Sequence, residues 1–261
     1  MELDDAYSNG AYIDGAEEFP PRWAAKAEAF RVSLGDRAKL DIAYGPGERN
    51  KFDLFLPEGK PKGLFVFVHG GYWLLFDKNS WSHLAAGALA KGWAVAMPSY
   101  DLCPDVSIAD ITNQIAAAVT RAAREVEGSI SLAGHSAGGH LVARMLDKEL
   151  LAPEVGKRLR TVVPISPLSD LHPLMRTTMN DQFKLDEAAA EAESPILMQE
   201  RYDAEVTVWV GADERPSFLD QAQWLADAWG CDQKIDPGKH HFDIIDALSD
   251  IDSEMVAILT K

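Results

Sequence analysis

Apolar residues along this chain fall into two kinds of run that take turns. Short unbroken runs, such as Leu64-Phe65-Val66-Phe67-Val68, have the pattern of strands buried on both faces. Longer stretches with apolar residues every three or four positions, such as 108–126, have the pattern of helices with one buried side. The first forty residues are mixed: irregular over 7–15, then a helix over 20–34 with Trp23, Ala27 and Phe30 on one side. A hairpin follows over 39–43 and 51–56, turning at Gly45-Pro46-Gly47. Strands are expected at 64–68, 93–97, 129–133, 159–165, 206–210 and 232–235. Helices are expected over 80–91, 108–126, 140–151, 216–229 and 242–259.

Strands alternating with helices at this spacing imply a mostly parallel sheet covered on both faces, in one domain spanning 1–261. The segment 166–202 breaks the alternation. It is long, rich in Met, Pro and acidic residues, and follows the sixth strand of the series, at the sheet end where such folds keep their sites. We expect it to be a lid or a pocket wall.

The stretch Gly134-His135-Ser136-Ala137-Gly138 sits between a buried strand and a helix. A serine flanked at ±2 by glycine in a strand-to-helix turn is the nucleophile elbow of α/β-hydrolases. The turn is so tight that the corner residue is strained and its neighbours two places away must lack side chains. A hydrolytic serine also needs a base, an orienting acid and an oxyanion hole, and in this fold the chain order is serine, acid, histidine. Asp213, after the strand at 206–210, is the expected acid, with Asp170 as its rival. His241 is the expected base, because Phe242 could bury beside it and fix the ring; His240 would be a solvated neighbour. His69, His83 and His172 read as structural or lid residues. The glycine turn His69-Gly70-Gly71-Tyr72-Trp73 follows the strand ending at Val68, so Gly71, Tyr72 and Ala137 are the expected oxyanion donors.

Composition narrows the picture further. The chain has 261 residues, ordinary hydrophobic and charged fractions of 47% and 25%, and a formal charge of −16. That charge repels phosphate backbones and argues against a nucleic-acid partner. No apolar run is long enough to span a bilayer, and the acidic start Met1-Glu2-Leu3-Asp4-Asp5 lacks a signal pattern, so the expected compartment is the cytoplasm. The two cysteines, Cys103 and Cys231, read as unlinked thiols. No metal-ligand spacing occurs, and neither a metal nor a cofactor is expected. The expected partner is a small-molecule ester or amide; a homodimer stays open.

These motifs together resemble the kynurenine formamidase (arylformamidase) branch of the α/β-hydrolases, near the hormone-sensitive lipase group. The resemblance rests on His69-Gly70-Gly71-Tyr72-Trp73, on Ser99-Tyr100-Asp101-Leu102-Cys103-Pro104, on Gly134 to His140, on Ser166-Pro167-Leu168-Ser169-Asp170-Leu171, on Ser194-Pro195 and on His241-Phe242. It spans about 64–242 and leaves out the first sixty residues. Tyr72 and Trp73 depart from general lipases, which carry a third glycine, and would narrow the acyl side of the pocket to suit a group such as formyl. The resemblance implies an acyl-enzyme mechanism with Ser136, His241 and Asp213. N-formylkynurenine carries a carboxylate, for which Arg176, Lys184 and Arg201, in or near 166–202, are the candidate cations. The alternatives are a short-chain carboxylesterase and, more remotely, a non-catalytic binding protein on a hydrolase scaffold.

Overall fold

The computed structural model describes all 261 residues. Eight strands form one sheet: β1 (Ala38–Ala43), β2 (Lys51–Phe55), β3 (Gly63–Val68), β4 (Ala94–Pro98), β5 (Ser129–His135), β6 (Leu159–Ile165), β7 (Glu205–Gly211) and β8 (Asp232–Asp236). Their spatial order is β1-β2-β4-β3-β5-β6-β7-β8. The first hairpin is antiparallel, β2 joins β4 antiparallel, and every later pair is parallel. This is the expected α/β architecture, with the strands of the hairpin forming one edge.

The apolar runs explain the layering. On β3, Leu64, Val66 and Val68 enter the core on one face of the sheet, and Phe65 and Phe67 enter the core on the other. Helices α1 (Phe19–Leu34), α2 (Ile108–Ala123), α3 (Ala137–Arg144) and α4 (Pro216–Trp229) cover these faces. Ile111, Ile115, Leu141 and Phe218 pack on the first face, whereas Trp23 of α1 packs on the second with Trp81 and Trp209. A capping box starts α2: Ser107 Oγ accepts from the Asp110 N–H, and the Asp110 carboxylate accepts from the Ser107 N–H at 2.9 Å.

Three expected helices differ. The stretch 80–91 forms tight 3-10 turns, Lys78–Ser80 and Ser82–Ala85, and only then the short helix Ala86–Ala90. There Gly87 lies so close to the backbone of 248–250 that a Cβ would meet the Leu248 carbonyl at 2.6 Å. The stretch 242–259 splits into a 3-10 turn, Ile244–Ser249, and a helix, Glu254–Leu259, because Ser253 caps a new start by accepting from the Val256 N–H. The elbow helix ends at Arg144 rather than 151; just beyond it the chain pairs with 201–202 instead, Tyr202 N–H donating to Leu146 O at 2.8 Å and Asp147 bridging Arg201.

The segment 166–202 carries only short turns of helix, and its end is pinned under the elbow helix. The buried Glu193 accepts from Thr112 Oγ1 at 2.7 Å and lies 3.4 Å from the Arg144 guanidinium, while its carbonyl oxygen bonds the His140 ring at 2.7 Å. The irregular N-terminal residues are held across the same end of the sheet. Leu3 N–H donates to Arg176 O, Asp5 pairs with Arg215 at 2.7 Å, and Ser217 Oγ donates to Ala6 O at 2.7 Å. The Tyr7 hydroxyl accepts from the buried Gln221 amide at 3.0 Å. No helix is long and apolar enough to cross a membrane.

Burial pushes the ring pKa of His69 and of His83 down to about 4 and that of His140 down to about 3. The unfolded chain therefore binds protons at these three sites, between about pH 6.5 and pH 4, that the folded chain does not. Stability gained from these neutral rings is full above pH 6.5 and falls as the pH drops through that window. Urea midpoints measured at pH 7.5 and pH 5 should show a clear loss at the lower pH; equal midpoints would mean that these rings take up protons as readily in the folded chain as in the unfolded one.

Candidate active site

The turn from β5 into α3 has no spare room. A Cβ on Gly134 would meet the Gly138 carbonyl oxygen at 2.1 Å, and one on Gly138 would meet the Val68 carbonyl oxygen at 2.0 Å. Ser136 occupies the corner at φ 56°, ψ −117°, a backbone conformation that costs a non-glycine residue on the order of 1–3 kcal/mol. Its N–H donates to Ile165 O at 2.8 Å, and its carbonyl accepts from the His140 N–H, so both neighbouring elements hold the strain in place. Ser136 Oγ makes no hydrogen bond within the protein and lies in the wall of a cavity of about 480 Å³.

His241 lines the same cavity. Its ring is clamped by Phe218, with centroids 4.4 Å apart, and by His135 at 4.5 Å. Phe242, the neighbour expected to fix it, is 6.2 Å away and packs instead against Phe19 and Trp23. His240 is half-buried with its ring edge on Phe19 and bonds only within its own turn. Burial, and secondarily the nearby His241, pushes the His135 ring well below the ordinary histidine range, so it stays neutral.

The carboxylate partner of His241 is not the expected Asp213. His241 Nδ1 bonds Glu214 Oε2 at 2.6 Å, and Glu214 Oε1 accepts from Ser166 Oγ and, at 2.9 Å, from the Gly211 N–H. Asp213 is exposed and touches none of these groups. The reason lies one residue further along the strand. β7 runs to Gly211, and the turn after it is zipped to the histidine loop: Ala212 N–H donates to Asp236 O and Asp213 N–H to Lys239 O. These bonds leave the Asp213 side chain outside and direct the next one inward. Asp170 is engaged elsewhere, bonding the His172 ring at 2.6 Å.

The glycine turn lies beside the serine. A Cβ on Gly70 would meet His135 O at 2.7 Å and Ser136 Cβ at 3.1 Å. Gly71, Tyr72 and Trp73 all have positive φ, at 109°, 53° and 57°. The N–H groups of Gly71 and Tyr72 donate to no protein acceptor, and Ala137, first in α3, has no intrahelical partner for its own. The Tyr72 hydroxyl donates to Tyr7 O at 2.5 Å and accepts from Asn9 Nδ2 at 2.9 Å, holding this turn to the N-terminal segment.

Three residues expected in the substrate pocket are not there. Trp73 is fully buried behind the turn, edge-on to His140 and Phe183, because its backbone turns it into the core. Arg176 is exposed and paired with Glu2. Arg201 lies over the Trp229 ring at 4.4 Å, in a separate groove near the start of β7 and β8. Lys184 lines no part of the cavity either. From 166–202 only Thr178 and Met179 reach it. The N-terminal segment contributes Asp4, Tyr7, Ser8, Asn9 and Gly10, and Trp23 of α1 adds an aromatic wall. Nothing periodic marks these first residues in the sequence, which is why a reading from hydropathy misses them.

Comparison with known proteins agrees with this architecture. A family model described as the alpha/beta hydrolase fold matches residues 65–224, well over half of the chain, so the chain belongs to the α/β-hydrolase family. Within it, a kynurenine formamidase of Drosophila melanogaster is 30% identical over 84% of this chain and 79% of its own length. A crystal structure from Silicibacter sp., provisionally described as a thioesterase, is 68% identical over the whole of both chains, with a TM-score of 0.99. Esterase B of Lactobacillus rhamnosis shares the fold at a TM-score of 0.70 and 18% identity, over 92% of this chain and 90% of its own. The protein is a hydrolase related to the kynurenine formamidases.

Gly138→Ala should fail to give folded protein, since its Cβ would collide with a strand carbonyl that cannot yield. Soluble expression and circular dichroism test this; a folded, cooperative variant would show that the elbow has slack.

Proposed function

We propose that the protein is a serine hydrolase acting through Ser136, His241 and Glu214 by way of an acyl-enzyme. The observation that carries this reading is the pairing of buried Glu214 with His241, whose ring shares the cavity wall with Ser136 on its strained corner. Ser136 Oγ attacks the acyl carbon as His241 Nε2 takes its proton. Glu214 holds Nδ1 protonated and stabilises the imidazolium that forms. The oxyanion receives the N–H groups of Gly71, Tyr72 and Ala137. The leaving amine or alcohol departs with the proton from His241, and water repeats the sequence to release the acid.

For the substrate we propose a small acyl group on an uncharged aromatic leaving group, as an aryl formamide or a short-chain aryl ester. Trp23, Tyr72, Phe76 and Trp81 line the cavity and supply flat apolar surface. The side chain of Tyr72, tied down at its hydroxyl, limits the room beside its own N–H. No Lys or Arg lines the cavity, so the carboxylate of N-formylkynurenine would be buried unpaired, which is costly. This favours neutral formanilides and esters over that amino acid, and it keeps the short-chain esterase reading beside the formamidase one.

Labelling with a fluorophosphonate should modify Ser136 and nothing else. Ser136→Ala should lower kcat by about 10⁶ without loss of fold. Glu214→Gln should cost on the order of 10⁴, and Asp213→Asn should stay within about twofold; the reverse ranking would return the acid to Asp213. A panel of formanilide, N-formylkynurenine, phenyl thioacetate and p-nitrophenyl acetate and octanoate, compared by kcat/KM, tests the substrate class. Best turnover on the octanoate or on N-formylkynurenine would overturn it.

A further inference from the structure

Asn9 comes from the irregular N-terminal segment, yet its side chain lies in the cavity wall and only 5% of the residue is exposed. Its amide orientation is fixed by its neighbours. The Tyr72 hydroxyl has one proton and gives it to the Tyr7 carbonyl, so toward Asn9 it must accept. The atom facing it at 2.9 Å is therefore the Asn9 NH₂. That leaves Asn9 Oδ1 as a buried acceptor with no donor anywhere in the protein. A buried amide oxygen without a partner costs on the order of 1–3 kcal/mol, so a ligand that brings a donor recovers what an apolar ligand does not.

Resting on the serine hydrolase reading above, we propose that Asn9 Oδ1 is a specificity-determining acceptor. It receives an N–H from a ring substituent of the leaving group and makes the cavity selective for amino-substituted aromatic leaving groups over purely apolar ones. Tyr72 ties this acceptor to the proposed oxyanion donors: its hydroxyl orients Asn9, and its backbone N–H has no acceptor in the protein. The distance between the two tasks is one tyrosine side chain. Asn9, Tyr72 and Ser136 line one cavity, so a donor carried by a ring substituent would reach the acceptor while the acyl carbon sits at Ser136.

The test compares isosteric esters, 3- and 4-aminophenyl acetate against 3- and 4-methylphenyl acetate, in which NH₂ replaces CH₃ at nearly equal size. The wild-type protein should prefer the amino ester by about tenfold in kcat/KM for at least one pair, as expected for one buried hydrogen bond. Asn9→Leu should erase that preference, whatever it does to the absolute rates. A general loosening of the turn would lower both esters together and leave their ratio unchanged. Equal rates on both members of each pair in the wild type, or a preference that survives in Asn9→Leu, would overturn the inference while leaving the hydrolase reading intact. No turnover of any ester, with Ser136 unlabelled by fluorophosphonate, would overturn the hydrolase reading and this inference with it.

Discussion

The contact between Gly138 and the Val68 carbonyl is the constraint on which the rest depends. With no room for a methyl group between them, the elbow helix is pressed against the end of the neighbouring strand. Ser136 must then turn its backbone into a region that a serine otherwise avoids. The same pressure sets the glycine turn that follows Val68 beside the serine, so Ser136 and the N–H groups of that turn are spaced by one packing event rather than by two independent loops. The cost of the strained corner is borne by the core on both faces of β3 and β5, whose residues are almost all fully buried.

Around that fixed point, Glu214 and His241 arrive from the turns after β7 and β8, at the sheet edge opposite the hairpin. The turns after β7 and β8 are stitched to each other by backbone hydrogen bonds, and a Cβ on Gly211 would meet Lys239 O at 2.2 Å. Close approach of two backbones thus determines which of two consecutive acidic residues reaches His241. The buried carboxylate of Glu214 accepts three hydrogen bonds, which leaves it one orientation.

How much was legible in the sequence follows from this physics. Apolar-rich runs revealed the inner strands β3 to β7, because burial on both faces demands them, whereas the charged strands β1 and β2 were legible only from the Gly45-Pro46-Gly47 turn between them. The elbow was legible because its steric demand is written as two glycines. The carboxylate that pairs with His241 was not, since Asp213 and Glu214 differ only by where β7 ends, and one more strand residue decides between them. The pocket wall was illegible for another reason. Asp4 to Gly10 hold their place through single bonds to Arg215, Ser217, Gln221 and Tyr72, and such point contacts leave no periodic trace. Arg176 looked like a substrate ligand only because the Glu2 that pairs with it is 174 positions away.

The separation between the residues after the strands and the first twenty or so has an evolutionary consequence. The groups proposed to break the bond hang on the sheet, where a change unravels packing. The groups that meet the substrate's far end hang on a strap whose side chains touch the core at few points. Two rates of drift are therefore built into one chain: machinery that tolerates almost no substitution, and a mouth that can be rewritten a residue at a time. A lineage on this scaffold could move between amide and ester substrates without rebuilding its chemistry.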